Sequence, residues 1–237
     1  MKLKILFVLI ILFSLQLNAK DKAYRISVKN RNLAIELTNK ARTHIKNNEP
    51  AKATSLIFKA IAVDSIFSNS YELLYKAITM TNNTSDSVLN TFSKAKRIFD
   101  EDDEVCFYKG EVYRMREDFP NAINEYSSAI EFSKNIPEKS FYYNYFFLYR
   151  ATCSLKLKNY SGALNDYNSV LLLEPTNSNA FVNRGICYKN LGKIDLAKAD
   201  MTRAAELGNT TAMTYLQKMN SKPTSKKPTS KKPVKKK

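Results

Sequence analysis

The chain repeats one pattern of apolar and small residues. A set at relative positions 0, +4 and +7 lies on one face of a helix, and near the carboxyl-terminal end this set is Phe181, Gly185 and Tyr188. A second set with the same spacing begins sixteen residues after Phe181, at Ala197. Between the two sets stands Leu191-Gly192-Lys193, which ends one helix and lets the chain reverse. The pattern predicts two amphipathic helices joined by a short turn.

The two-helix pattern occurs five times. The sets of the second helices begin at Ala53, Val88, Ala122, Ala163 and Ala197. These starts are separated by 35, 34, 41 and 34 residues, which gives a period of 34. The interval of 41 holds seven additional residues around Pro137, which interrupts the helix. A fixed period with two helices per copy predicts an all-α solenoid of stacked hairpins.

Small residues face each other across the two helices in three of the copies. The pairs are Gly110 with Ala122, Ala151 with Ala163, and Gly185 with Ala197. Small side chains allow two helix backbones to approach closely. A large residue stands one turn further along the second helix, at Tyr126, Tyr167 and Met201. We expect these large side chains to fill the space against the next hairpin.

These residues and spacings resemble the tetratricopeptide repeat family over about 34–207. The resemblance is strongest in 108–130, 150–175 and 180–207, and the last stretch contains Asn-Arg-Gly-Ile-Cys-Tyr and Leu-Gly-Lys-Ile-Asp-Leu-Ala. The first two copies depart from the family pattern, since His44 takes a slot usually given to a tyrosine-like residue. The resemblance implies a right-handed α-solenoid of about five helix-turn-helix repeats.

The domain boundaries follow from this alignment. We expect a solenoid over 20–220, with repeats at about 34–67, 68–102, 103–136, 144–177 and 178–209. Gly208 is a good helix stop, so a last helix over 210–220 should cap the array. We expect this capping helix to turn Met213 and Leu216 inward.

The resemblance also implies a binding surface. In this family the first helices line a concave face that commonly holds an extended peptide or a helix of a partner protein. Placed residue by residue, the expected peptide-binding groove contains Phe107, Glu111, Arg114, Tyr145, Tyr149, Asn179, Asn183 and Lys189. The family's carboxylate clamp does not fit any triplet of repeats. For each aromatic ring in 141–149, the alternative to ligand contact is packing within the hairpins.

The composition argues against an enzyme. One His, three Cys and five Gly leave little material for a metal site or a phosphate-binding loop, so we expect no catalytic residues, no metal and no cofactor. We expect His44 to be a packed residue without a partner acid. Cys106, Cys153 and Cys187 should be buried free thiols, the alternative being a disulfide between Cys153 and Cys187.

The amino-terminal end reads as a secretory signal peptide over 1–19. Lys2 and Lys4 precede an apolar run over 5–17, and Ala19 offers a cleavage point before Lys20. The run is shorter than the roughly 20 residues that cross a bilayer. The sequence therefore predicts an extracytoplasmic protein, periplasmic or secreted, without a transmembrane span once the signal is removed. The alternative is an uncleaved amino-terminal anchor.

The carboxyl-terminal end, 221–237, is a Lys- and Pro-rich stretch that we expect to be disordered. It contains half of the formal net charge of +16, as eight lysines and no acid, so that 20–220 is only mildly basic. The lysines that would bind a polyanion are Lys222, Lys226, Lys227, Lys231, Lys232, Lys235, Lys236 and Lys237. The alternative is a solubilising tail without a specific partner.

Two functions follow from these features. The leading interpretation is a non-catalytic extracytoplasmic adaptor that binds a peptide or protein partner in its groove, with the tail as an electrostatic tether to an anionic surface. The alternative is a polyanion-binding protein whose active element is the tail. Its ligand would be an anionic envelope polymer, a lipid or, with less support, nucleic acid.

Overall fold

The computed structural model describes residues 27–134 and 136–221, which form eleven α-helices and no strand. The chain divides between Tyr142 and Tyr143 into two compact units. Unit 1 contains α1 Val28–Lys46, α2 Pro50–Val63, α3 Asn69–Thr81, α4 Asp86–Ile98, α5 Asp103–Met115 and α6 Phe119–Ser133. Unit 2 contains α7 Tyr143–Lys156, α8 Tyr160–Leu173, α9 Ser178–Asn190, α10 Ile194–Glu206 and α11 Thr210–Ser221. The predicted all-α fold class is confirmed, whereas the exact repeat boundaries stay a prediction.

Helix starts are set by short polar side chains. Asp102 accepts a hydrogen bond from the backbone N–H of Val105 at 2.8 Å, and Asn177 accepts one from Ala180 at 2.9 Å. These side chains satisfy N–H groups that have no partner within the helix. Left-handed residues form the turns between paired helices, at Asn48, Asn82, Glu117, Lys158 and Gly192. The sharp reversal predicted at Leu191-Gly192-Lys193 is therefore present.

Close hairpins form wherever the facing slots are small. The pairs α1–α2, α5–α6, α7–α8 and α9–α10 pack closely along their length. A Cβ added at Gly110 would lie 2.8 Å from Cε1 of Tyr126, and one added at Gly185 would lie 3.3 Å from the carbonyl oxygen of Ala197. Tyr126 and Tyr167 are fully buried, as expected for the large residue one turn on.

The α3–α4 pair is different, because its two backbones hardly approach each other. Its slots contain Tyr75 and Val88 instead of two small residues. Tyr108 of α5 fills the gap: its ring stacks on Tyr75 at 4.9 Å and contacts Phe92 of α4 at 5.8 Å. Large side chains in the contact slots therefore separate α3 from α4, and α4 packs on α5 instead.

The capping helix α11 packs on α10 with a different face than expected. Ala212 is fully buried and Leu216 packs against the same cluster, but Met213 is 41% exposed. The prediction that Met213 faces inward was wrong. Ala212 takes the inward position because a small residue lets α11 lie close to Met201 and Ala204.

Candidate peptide-binding surfaces

The predicted groove residues fall in both units, and each unit is described by itself. Three of them, Phe107, Glu111 and Arg114, belong to α5 of unit 1. The other five belong to α7 and α9 of unit 2, at Tyr145, Tyr149, Asn179, Asn183 and Lys189. The eight tail lysines and the signal segment lie outside the described residues.

The unit 2 residues form what we call the α7/α9 face. Tyr145 and Tyr149 are half-buried, one helical turn apart, with ring centroids at 5.7 Å. Asn183 stands on α9 and is also half-buried. It hydrogen-bonds the buried hydroxyl of Tyr167, whose pKa is raised above its usual range mainly by burial. The α7/α9 face therefore combines two partly accessible rings of α7 with a partly accessible amide of α9.

Asn179 and Lys189 are held at the capping end of unit 2. The side-chain oxygen of Asn179 accepts a hydrogen bond from Asn209 at 2.9 Å, and Asn209 in turn caps α11 by accepting from Ala212 at 3.1 Å. The ammonium of Lys189 lies 5.3 Å from the ring centroid of Tyr215, within cation–π range. Both side chains are exposed, so they remain accessible beside α11.

In unit 1, Phe107 and Glu111 are not surface residues. Phe107 is fully buried, and Glu111 is 1% exposed. Glu111 accepts two hydrogen bonds from the guanidinium of Arg114, at 2.7 and 2.8 Å, and a third from the hydroxyl of Tyr126. Its charge is thus compensated inside the protein. Of the three predicted residues, only Arg114 is partly accessible.

The cover over Phe107 is Tyr142, whose ring stacks on it at 4.8 Å with an interplanar angle of 23°. Sequence reasoning placed Tyr142 in an aromatic stretch without assigning it to the groove. Its contacts match the packing alternative for that ring. The seven-residue insertion was the sequence feature that could have indicated this contact. Additional residues before a helix make the connection long enough to pack over neighbouring helices.

One set of supporting residues was missed although the sequence contains its signal. A cation precedes an acid by sixteen residues in three hairpins, as Lys109–Glu125, Arg150–Asp166 and Arg184–Asp200. The two arginine pairs are bidentate, with distances of 2.7 to 2.8 Å. The acids are nearly buried, at 11%, 7% and 8% side-chain exposure. These pairs tie the two helices of each hairpin together.

A small cavity of about 70 Å³, open to solvent, lies between the starts of α3 and α5 in unit 1. Its lining combines the rings of Tyr71, Phe99 and Tyr108 with the carboxylates of Glu72, Asp102 and Glu104. Burial raises the pKa of Asp102. Glu104 is engaged, because it accepts hydrogen bonds from Tyr108 at 2.8 Å and from Ser140 at 2.6 Å.

The remaining reactive residues have structural roles. Cys106, Cys153 and Cys187 are buried and form no disulfide with one another, as expected, and burial raises the pKa of Cys106 and Cys187 to about 11. The expectation that His44 lacks a partner acid was wrong, because Nδ1 of His44 lies 2.6 Å from Glu49. Glu49 stands in the turn, where helical spacing does not predict neighbours. Within 27–134 and 136–221, no group of three potential metal ligands occurs.

None of the helices in the part of the chain that the structure describes combines the length and the apolar character needed to cross a bilayer.

Comparison with known proteins places these hairpins in a family. The tetratricopeptide repeat model matches residues 178–208. Heat shock protein STI1 of Saccharomyces cerevisiae is 33% identical over 99 residues, which are 42% of this chain and 16% of that protein. The TPR repeat-containing protein MJ1428 of Methanocaldococcus jannaschii is 27% identical over 158 residues, 66% of this chain and 25% of that protein. This chain therefore spans a quarter or less of these relatives.

Solved structures show the same fold. YrrB, a TPR protein with an unusual peptide-binding site, matches with a TM-score of 0.62 at 20% identity, over 80% of this chain and 94% of YrrB. MamA matches with a TM-score of 0.64 at 16% identity, over 79% of this chain and 96% of MamA. Yeast Tom70 matches with a TM-score of 0.62 at 22% identity, over 87% of this chain and 44% of Tom70. The chain thus contains a tetratricopeptide repeat at residues 178–208, and over 80% of its length it shares the fold of YrrB, a TPR protein.

Proposed function

We propose that the chain is a non-catalytic adaptor that binds an extended peptide segment of a partner protein on the α7/α9 face. The observation that carries this proposal is that two half-buried tyrosine rings of α7 and a half-buried asparagine of α9 belong to two helices of unit 2 that contact each other. An extended peptide can be held in two ways. Its side chains can pack on the tyrosine rings, and its backbone can hydrogen-bond to the asparagine amide.

The rigidity of the face supports the proposal. Arg150–Asp166 and Arg184–Asp200 each join the two helices of a hairpin by a bidentate ion pair. A surface held in this way loses little conformational entropy when a ligand binds, so more of the contact energy appears as affinity. The peptide-binding site of YrrB, a protein of the same fold, is consistent with this use of the fold.

Lys189 and Asn179 extend the face towards α11. Because Lys189 is exposed and lies over Tyr215, it can contact an acidic side chain or a terminal carboxylate at one end of a bound peptide. We expect this contact to weaken with added salt, whereas the contacts with Tyr149 and Asn183 should not.

The location and the tail complete the proposal. The apolar run over 5–17 after two lysines supports an extracytoplasmic protein, and the eight lysines of 221–237 support a tether to an anionic surface. Each lysine near such a surface contributes about 1 kcal/mol, so the tether is strong at low salt and weak at high salt.

Pull-down from envelope extract, followed by titration of the recovered partner's peptides, tests the face. We expect Tyr149→Ala and Asn183→Ala together to weaken binding at least tenfold. The matched control is Asn165→Ala, an exposed asparagine on α8, the second helix of the same unit. Equal partner recovery by the double variant and the control would remove the α7/α9 face from consideration.

The second candidate function is polyanion binding by the tail, and the concentration of eight lysines in 221–237 favours it. A chain truncated after residue 220 separates the two functions. If the truncated chain loses anionic vesicles but keeps its protein partner, the tail is only a tether. If it loses every partner, the tail is the active element.

A further inference from the structure

The segment between α6 and α7 lies on the surface of unit 1, and we call its described part, 136–142, the strap. At its end, Tyr142 fits among three rings of α3 and α5. Besides stacking on Phe107 at 4.8 Å, it meets Tyr75 at 5.6 Å and Tyr108 at 5.6 Å, both edge-on. Tyr75, Phe107 and Tyr108 thus form an aromatic slot, and Tyr142 occupies it.

Polar contacts hold the strap against unit 1. Ser140 hydrogen-bonds the carboxylate of Glu104 at 2.6 Å, and the same carboxylate accepts from Tyr108 in the wall of the slot at 2.8 Å. The ammonium of Lys139 donates to the carbonyl oxygens of Ser133 and Ile136. The anchor is therefore one inserted ring and a few hydrogen bonds at the surface.

The rest of the strap contributes little to the core. Pro137, Glu138 and Lys139 are exposed, and Phe141 is 81% exposed although it is a large apolar residue. Pro137 also lacks a backbone N–H and cannot extend the hydrogen bonding. The strap is thus bound to unit 1 mainly through one aromatic side chain and its polar neighbours.

We propose that the aromatic slot of unit 1 is a second binding site, which takes an aromatic side chain of a partner peptide, and that Tyr142 occupies it in cis as a competitor. The proposal rests on the peptide-binding function proposed above but uses a different surface. Phe107, which the family resemblance assigns to the groove, is fully buried, and Tyr142 stacks on its ring. The apparent affinity for a partner then depends on the fraction of molecules in which the slot is open.

The probe for this proposal is a fluorescent peptide with the strap's own sequence, Lys-Ser-Phe-Tyr-Tyr-Asn, blocked at both ends. It is titrated into the full chain and into Tyr142→Ala. We expect Tyr142→Ala to bind the probe at least tenfold more tightly than the unchanged chain, because the slot is no longer occupied. A probe with Ala in place of its first Tyr, which corresponds to Tyr142, should lose this gain.

Two further variants keep the test decisive. Ser140→Ala removes the hydrogen bond between the strap and Glu104 but leaves the three rings of the slot unchanged. We expect it to increase probe affinity about threefold. If Tyr142→Ala does not fold, Ser140→Ala tests the proposal in its place. Glu138→Ala, at an exposed position of the strap away from the aromatic slot, is the control and should leave probe affinity unchanged. Folding is checked by thermal melting.

Equal probe affinity in the unchanged chain and in folded Tyr142→Ala or Ser140→Ala would overturn the proposal, as would equal binding of the Ala-containing probe. The result is independent of the α7/α9 face, since loss of partner recovery by Tyr149→Ala with Asn183→Ala is measured without the probe. Failure of one proposal is therefore distinguishable from failure of the other.

Discussion

The α9–α10 hairpin and the α3–α4 pair use the same slots of the repeat but pack differently. In α9–α10 the facing slots contain Gly185 and Ala197, and the helices lie against each other. In α3–α4 they contain Tyr75 and Val88, and Tyr108 of the following helix enters the gap. The small slot residues, more than the period itself, decide whether two helices close into a hairpin.

An ion pair between the two helices is present in α9–α10 and its positions are uncharged in α3–α4. Arg184 and Asp200 stand beside the small slots of α9–α10, whereas the matching positions of α3–α4 are Leu74 and Thr91. A bidentate contact between two helices requires that their backbones be close, so the pair and the small residues belong together. The α3–α4 pair lacks both and depends on the aromatic side chain of its neighbour.

The largest expected effect is therefore at the ring that supports the open pair. Tyr108→Ala removes a side chain that is 2% exposed and contacts both α3 and α4, so it should lower the free energy of unfolding by about 4 kcal/mol. Tyr108→Phe keeps the ring, loses only the hydrogen bond to Glu104 and should cost about 1 kcal/mol. Urea unfolding monitored by circular dichroism measures both, and equal costs would mean that the ring is not the support.

The ion pair comes next. Asp200→Ala leaves the guanidinium of Arg184 partly buried without its partner, and we expect a loss of about 3 kcal/mol. The control Asp195→Ala changes an exposed acid on the same helix and should cost less than about 0.5 kcal/mol. Similar unfolding midpoints for the two variants would show that the pair does not hold the hairpin.

A smaller effect tests the slot itself. Gly110→Ala places a Cβ 2.8 Å from the buried ring of Tyr126 and should cost about 2 kcal/mol, despite the better helix propensity of Ala. At Gly185 the closest atom is the flexible end of Met201 at 3.2 Å, so Gly185→Ala should cost about 1 kcal/mol or less. Thermal melting measures the destabilisation of both variants. A larger loss for Gly185→Ala than for Gly110→Ala would contradict the packing argument.

The smallest effect concerns the turns. Lys158 has a φ of +60°, a region that disfavours an L-residue by about 1–2 kcal/mol, and glycine costs about 0.5–1 kcal/mol of chain entropy. Lys158→Gly should therefore stabilise by about 0.5 kcal/mol, and the reciprocal Gly192→Ala should destabilise by about 1 kcal/mol. Nothing lies within 4 Å of a Cβ at Gly192, so any loss measured there comes from the backbone alone.

Much of the fold could be predicted from the amino-acid sequence. The spacing of 0, +4 and +7, the small facing residues and the turns are local properties, and the helices follow them. The pairs Lys109–Glu125, Arg150–Asp166 and Arg184–Asp200 could also be predicted, since a cation precedes an acid by sixteen residues in three of the four copies that close. A pattern of apolar positions does not contain them, because all six residues are charged.

The residues of the binding groove were harder to predict from local sequence patterns. Phe107 and Glu111 stand at positions that the family resemblance assigns to a groove. In the structure Tyr142 stacks on Phe107, and the hydroxyl of Tyr126 donates a hydrogen bond to Glu111. The contact between Phe107 and Tyr142 joins the third repeat to the segment that follows it, which the period does not describe. Helical periodicity predicts which face a residue lies on, but it does not predict what lies above that face.

The sequence by itself determined the all-α class, the hairpin period and the family, because each depends on spacings within about 34 residues. Only the tertiary structure decided that α3 and α4 separate, that Tyr142 occupies the slot of Tyr75, Phe107 and Tyr108, and that His44 pairs with Glu49. The physical reason is the same in each case. Close packing requires that every space be filled, and the side chain that fills it is selected by geometry across the fold, whatever its position in the repeat.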